Sequence, residues 1–239
     1  MFNDIVKNIN SHGIVVLEDY YTEEFCDKIV NDFDEFLIKF KNKVEILSSE
    51  DTGGDNRIYK FENYSSNTKI FSQDELLVKV AGWFYNQKSK SHFVIGGKVE
   101  HSNNTTNNSG GGWHKDNQQP QFKSLLYLTD VNEKNGPYLF LPYSNQFHLP
   151  TRDGNPNYTR YSDDAVNEFC EKNELEPFQV TGKKGTVVLT NTSFIHRGKN
   201  IEEGERYSLT NYYFEDTPLR EQLVQQTWGD KFIENGTHI

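Results

Sequence analysis

Cysteine is almost missing from this sequence: Cys26 and Cys170 are the only two in 239 residues. Two cannot build a disulfide framework or a multi-cysteine zinc site. Long apolar runs are missing too. None approaches the ~18 residues that a membrane-spanning helix needs. Met1 to Gly13 alternates charged and single apolar residues, unlike a secretory leader. Basic residues are in the minority, 25 Lys and Arg against 35 Asp and Glu, for a net charge of -10. They form no cluster, whereas a nucleic-acid reader carries a basic footprint. The expectation is a soluble, cytoplasmic, disulfide-free protein whose partner is a small-molecule substrate, with no nucleic acid and no membrane.

Alanine is scarce as well, present only as Ala81 and Ala165. A mean hydropathy of -0.79 raises the question of disorder. Leu, Ile, Val and Phe together make up about a quarter of the chain, above the ~20% level that marks disorder. What the sequence has in plenty is rings: 17 Phe, 13 Tyr and 3 Trp. Each buries roughly 150–250 Å², so a core of large aromatics is available and the chain folds. The length suits one larger, mainly β domain or two small ones. No linker or internal repeat divides it, so one domain over residues 1–239 is expected.

Residues 13–20 read as a strand. Thr22 then precedes a helix whose apolar residues recur at 25, 29, 33, 36, 37 and 40, with Glu23 and Glu24 at its positive end. Residues 48–57 read as a loop. A second helix starts at Ser72, with Glu75 three residues on as a capping box, and buries Leu76, Leu77, Val80 and Phe84. After residue 90 the period changes. Strands are expected at 92–101, 122–131, 138–142, 178–182, 185–192 and 206–214, with a Gly/Asn loop at 103–112 and a turn at Asn135-Gly136-Pro137. A polar loop over 143–161 leads to a short helix at 162–173, and Pro218 to Trp228 reads as a last helix. Helices first and strands later indicate an α+β, mainly β architecture rather than alternating βαβ units.

The chemistry concentrates in Trp113-His114-Lys115-Asp116. In extended chain His114 and Asp116 share a face, because strand side chains alternate with period two. An imidazole beside a carboxylate is two thirds of the 2-His-1-carboxylate triad of non-haem Fe(II) oxygenases. Alone, His-x-Asp is a weak signal that a surface histidine beside a solvated acid would also give. His196 follows the apolar strand 185–192 and is placed to face a barrel interior. Ten residues later Arg206 and Ser208 share a strand face. An arginine fork binds a carboxylate bidentately, although a surface ion pair with Glu202, Glu203 or Glu205 is the blander reading of Arg206.

The order of these pieces carries a resemblance. GGGWHKD, then FKSLLYLTDVNEKNGPYLFLPYS, then GTVVLTNTSFIHRGKNIEEGERYSLTNYYF, is similar to the phytanoyl-CoA dioxygenase-like family of Fe(II)/2-oxoglutarate oxygenases over about residues 92–214. The resemblance implies a double-stranded β-helix, a jelly-roll barrel, flanked by N-terminal helices. It implies Fe(II) held by His114, Asp116 and His196, with 2-oxoglutarate as cosubstrate and O2 as oxidant. Arg206, helped by Ser208, would take the C5 carboxylate. Lys98, on the strand before the loop, would meet the cosubstrate. Tyr127 would line the pocket, though a core aromatic is the simpler reading. Trp113 would pack beneath the ligands. The sequence departs from the family at Pro142-Tyr143-Ser144-Asn145, where Pro-Gly-Ser-His is commoner; that position shapes a loop and does not touch the iron. In halogenating relatives a small residue replaces the carboxylate ligand, so Asp116 implies oxygen insertion.

Two further readings stay open. A cupin-like metal- or sugar-binding protein without oxygenase activity would usually present His-x-His, which is absent here. A catalytically dead binding module would be expected to have lost a ligand or the arginine, and none is missing. Of the other histidines, only His101, near a strand end, is placed to approach such a site; His12, His92, His148 and His238 read as surface or packing residues. The polar loops 51–65 and 143–161 favour a small polar or sugar-like substrate over a long acyl chain.

Overall fold

A computed structural model of the chain describes residues 1–43, 45–47, 54–101, 112–146, 149–151 and 159–233. The helices are α1 (Phe2–His12), α2 (Glu23–Lys39), α3 (Ser66–Ser72), α4 (Glu75–Phe84), α5 (Asp163–Asn173) and α6 (Pro218–Trp228). The strands are β1 (Ile14–Leu17), β2 (Glu45–Leu47), β3 (Asp55–Tyr59), β4 (Ser89–Glu100), β5 (Phe122–Tyr127), β6 (Tyr138–Phe140), β7 (Phe178–Val180), β8 (Val187–Asn191), β9 (His196–Gly198) and β10 (Glu205–Glu215). No helix among the described residues is long and apolar enough to cross a membrane. Both cysteines are free, Cys26 on α2 and Cys170 on α5.

Two sheets face each other. The larger runs β1-β8-β5-β10-β4-β3-β2, the smaller β7-β6-β9, and every pairing is antiparallel. This is the double-stranded β-helix, with helices added, that the motif order implies. Strand alternation sorts the side chains. On β10, Tyr207, Leu209 and Tyr213 pack outward against Cys26, Ile29, Phe33 and Phe36 of α2 in the main apolar core. Arg206, Ser208, Thr210 and Tyr212 point the other way, into the space between the sheets.

Three local expectations change. α1 forms where no helix was expected: Ile5 and Ile9 supply its buried face, and Gly13 ends it at φ 78 with its N–H on the Ile9 carbonyl. The capping box at Ser72 does not form. Ser72 closes α3, its hydroxyl donating to the Lys69 carbonyl, and the Asp74 carboxylate caps α4 by accepting from the Leu77 N–H. The expected loop 48–57 ends as β3; its residues 48–53 lie outside the described ones, as do 102–111, nearly the whole Gly/Asn loop. The expected strands form close to expectation, although the one begun at Phe122 stops at Tyr127, and β2 and β9 form where no strand was expected.

Gly185 ties the helical layer to the barrel. Its carbonyl accepts from the N–H groups of Tyr20 and Tyr21, at 3.2 and 3.1 Å. Its φ is +92°, and a Cβ there would lie 2.0 Å from the Tyr21 carbonyl oxygen. Backbone cannot yield as a side chain can. Gly185→Ala should therefore cost about 3 kcal/mol or more, read as a lower denaturant midpoint at unchanged m value.

Candidate metal centre

Residues 113–116 run antiparallel to residues 192–196, with His114 bridged to His196 at the start of β9. The His114 N–H donates to the His196 carbonyl at 3.0 Å, and the His196 N–H returns a bond to His114 at 2.9 Å. On the other side the Lys115 N–H donates to the Thr159 carbonyl, and the Tyr161 N–H to that of Trp113. The ribbon is thus pinned on both edges. Alternation sends Trp113 outward into an apolar cluster with Ile195 and Phe169, where the Arg197 guanidinium covers its ring. His114 and Asp116 point inward, and the bridge to His196 brings the third side chain beside them.

His114 Nε2 lies 3.7 Å from Asp116 Oδ1, and His196 Nε2 lies 3.6 Å from Asp116 Oδ2. One potential ligand atom from each of the three residues falls within 4.8 Å of the others. Each Nδ1 lies 2.9 Å from a carbonyl oxygen, of Gly112 for His114 and of Phe194 for His196. A carbonyl only accepts, so both protons sit on Nδ1 and both Nε2 atoms present lone pairs toward Asp116. Burial, with His196 alongside, pushes His114 down to about 3. Burial also lowers His196. Burial by itself would raise Asp116, but the Lys123 ammonium and the two imidazoles hold it well below the usual carboxylate range. At neutral pH the three groups are therefore already in their ligand states, with no proton to shed.

A buried orphan tests the fit to a metal. Asp116 Oδ2 accepts no hydrogen bond among the described residues. Lys123 Nζ is 2.7 Å away, in ion-pair contact. Two nitrogen lone pairs and a carboxylate converging on one point suit a borderline divalent ion such as Fe(II).

The centre opens on a cavity of about 290 Å³ between the sheets. Arg206 lines its far end. It is 7% exposed, its Nε has no hydrogen-bond partner, and no carboxylate among the described residues lies within ion-pair reach. The surface-pair reading is therefore out: Glu205 turns to Lys98, Glu203 to Lys134 and Glu202 to Lys199. The turn Asn135-Gly136-Pro137 supports the guanidinium. Gly136 holds φ +69°, and a Cβ there would lie 3.3 Å from Arg206 Nη1. Ser208 lies one row along, between Gly97 and Tyr127.

Tyr127 lines the cavity with its ring, but its hydroxyl is engaged, donating to the Val180 carbonyl and accepting from the Tyr138 N–H. Lys98 is not brought to the site. Its register partner is the outward-facing Tyr207, and its ammonium sits 2.6 Å from Glu100 and 3.1 Å from Glu205. Its neighbours Gly97 and Val99 face the cavity instead. Sequence reasoning missed Lys123, and also the Asp55–Arg57 pair on β3, whose Nη2–Oδ2 distance is 2.7 Å. His101 stays with the Ile201 carbonyl, His92 packs edge-on against Phe214, and His12 bonds Ser11 at the surface. His148 and His238 lie outside the described residues.

The departure at Pro142-Tyr143-Ser144-Asn145 has a conformational meaning. Tyr143 sits at φ 61, in the left-handed region where a glycine is at ease. Ser144 pins the loop, its hydroxyl donating to the Leu141 carbonyl and accepting from the Ile195 N–H, both at 2.7 Å.

A jelly-roll barrel with a His-x-Asp and distal-His cluster at one end of its cavity and an unpaired buried arginine at the other defines a non-haem iron oxygenase of the 2-oxoglutarate-dependent class. The sequence profile of the phytanoyl-CoA dioxygenase (PhyH) family matches residues 9–204, and the chain belongs to that family. Its cofactors are Fe(II) and 2-oxoglutarate, with O2. No curated protein matches the sequence. Among solved structures, the epimerase SnoN with Fe3+, alpha ketoglutarate and nogalamycin RO is similar at 13% identity. It covers 90% of this chain and 84% of that one, with a TM-score of 0.70. EctD from S. alaskensis, with 2-oxoglutarate and 5-hydroxyectoine, is 16% identical over 88% and 74% of the two chains, with a TM-score of 0.65. HygX from Streptomyces hygroscopicus, with iron, is 14% identical over 89% and 86%, with a TM-score of 0.62.

Proposed function

We propose that this chain hydroxylates a small polar organic substrate, with 2-oxoglutarate consumed to succinate and CO2, and that it works as one domain over residues 1–239. In this reading His114, Asp116 and His196 hold Fe(II). Arg206 takes the distal carboxylate of 2-oxoglutarate as a charge-assisted pair, and the Ser208 hydroxyl donates to it. One observation carries the proposal: a buried arginine without an acid partner among the described residues faces, along one cavity, a cluster with two free imidazole lone pairs. A metal-binding protein that is not an oxygenase gives no reason for that arginine.

When bound, the iron supplies O2 activation coupled to decarboxylation of the cosubstrate. The protein's part is positioning. Gly112 and Phe194 carbonyls fix the imidazole tautomers. Tyr127, with its hydroxyl engaged, forms a fixed wall, and Ile95, Val99 and Leu125 supply apolar lining. Thr159, Arg160, Thr192, Thr210 and Tyr212 line it too, and they suit hydroxyl, amine or carboxylate groups better than an acyl chain. Solved neighbours hold small-molecule ligands, nogalamycin RO in SnoN, 5-hydroxyectoine in EctD and hygromycin B in HygX, which supports a small-molecule substrate.

Screening such compounds with the Fe(II)-loaded enzyme should reveal one that stimulates succinate release. Because Asp116 occupies the carboxylate position, the product formed under 18O2 should gain one labelled oxygen, in excess chloride or bromide as well. A halogenated main product would refute the assignment.

A further inference from the structure

Among the described residues, Lys123 forms an ion pair with the candidate ligand set. It is 4% exposed, its ammonium lies 2.7 Å from Asp116 Oδ2, and it sits 3.7 Å above the centroid of the Tyr212 ring. Strand parity puts it there, since Lys123, Leu125 and Tyr127 of β5 all face the cavity. Only two acids, Asp55 and Asp116, line that cavity among the described residues. Asp55 is matched by Arg57 and Asp116 by Lys123. No uncompensated carboxylate remains, while Arg206 adds a positive charge without an acid partner.

A dication entering alone would thus meet two neutral imidazoles, an already neutralised carboxylate and an excess of positive charge. A dianionic cosubstrate arriving with it cancels the added charge. We infer that Lys123 is a positioning residue that makes metal binding depend on 2-oxoglutarate, by pairing with Asp116 in the empty site. This rests on the proposed Fe(II) ligands. Coupling of this kind is reciprocal, so the metal raises cosubstrate affinity by the same factor.

The test is calorimetric titration with Co(II), an O2-stable stand-in, with and without 2-oxoglutarate, alongside the visible Co(II) absorption. In the wild type, 2-oxoglutarate should tighten Co(II) on the order of 30-fold. Lys123→Met keeps the aliphatic stem and removes the charge. It should bind Co(II) alone about 10-fold more tightly than the wild type, with the coupling largely lost. Lys123→Arg should retain the coupling. Far-UV circular dichroism establishes that each variant is folded. If folded Lys123→Met binds Co(II) alone no better than the wild type, Lys123 merely braces Asp116 and the inference fails. Equal wild-type affinity with and without 2-oxoglutarate also overturns it, while leaving the metal site standing. No Co(II) binding by any form would remove the metal site itself.

Discussion

Replacing His196 with alanine should abolish substrate-driven succinate release and lower metal affinity by at least about 100-fold. Even outer-shell partners of metal ligands are worth 10–100-fold in affinity, and His196 is assigned to the metal itself. The residue is 5% exposed, and its Nδ1 proton is committed to the Phe194 carbonyl, so Nε2 has no other task among the described residues. Under anaerobic conditions the wild type with Fe(II) and 2-oxoglutarate should show a weak visible charge-transfer band. His196→Ala should lack it. The metal-free proteins should melt within a few degrees of each other, because His196 contributes to the bridge with His114 through its backbone, which the substitution keeps. A variant that retained both band and turnover would move the metal elsewhere.

The site was legible in the sequence where chemistry and strand parity coincide. His114 and Asp116 declare a shared face by spacing alone, and His196 and Arg206 sit at the ends of strands whose apolar runs are unmistakable. Lys98 followed from the resemblance, and parity could not check it. Phe93, Val94 and Ile95 are all buried, so β4 shows no alternation from which to tell its cavity face from its helix face. β3 was hidden for a related reason. Its inward residues Asp55 and Arg57 neutralise each other, so a strand that is buried in fact reads as a polar loop. Lys123 was passed over because a lysine inside an apolar strand looks like an outward residue; only the position of Asp116 across the cavity explains it.

Helix ends were legible in kind but not in place. Ser72 and Asp74 both precede the apolar face of α4, and local spacing favours Ser72 through Glu75. Tertiary contacts decide for Asp74, whose carboxylate also accepts from the hydroxyls of Tyr20 and Tyr21. α1 carries Phe2, Ile5 and Ile9 at helical spacing with Gly13 as a stop. That signal is short, spanning only 11 residues.

Replacing Arg206 with alanine should weaken 2-oxoglutarate binding by roughly 2–5 kcal/mol, about 30-fold to several thousand-fold in Kd. The guanidinium is buried at the cavity's far end, where burial disfavours its charge and pushes its pKa down. Asp55 offsets that only in part, and no ion pair joins it to Arg206. The charge is tolerable only if a ligand carboxylate completes it, so the cosubstrate should gain what the free protein lacks. Two consequences separate this from general damage. Arg206→Ala should raise the melting temperature of the free protein or leave it unchanged, since an uncompensated buried charge is removed. Added 2-oxoglutarate should then stabilise the wild type far more than the variant. Metal binding without cosubstrate should persist in Arg206→Ala, because the guanidinium touches none of the three ligands. Calorimetry showing unchanged 2-oxoglutarate affinity would assign the distal carboxylate to Arg57, a cavity-lining arginine in the same sheet row as Ser208.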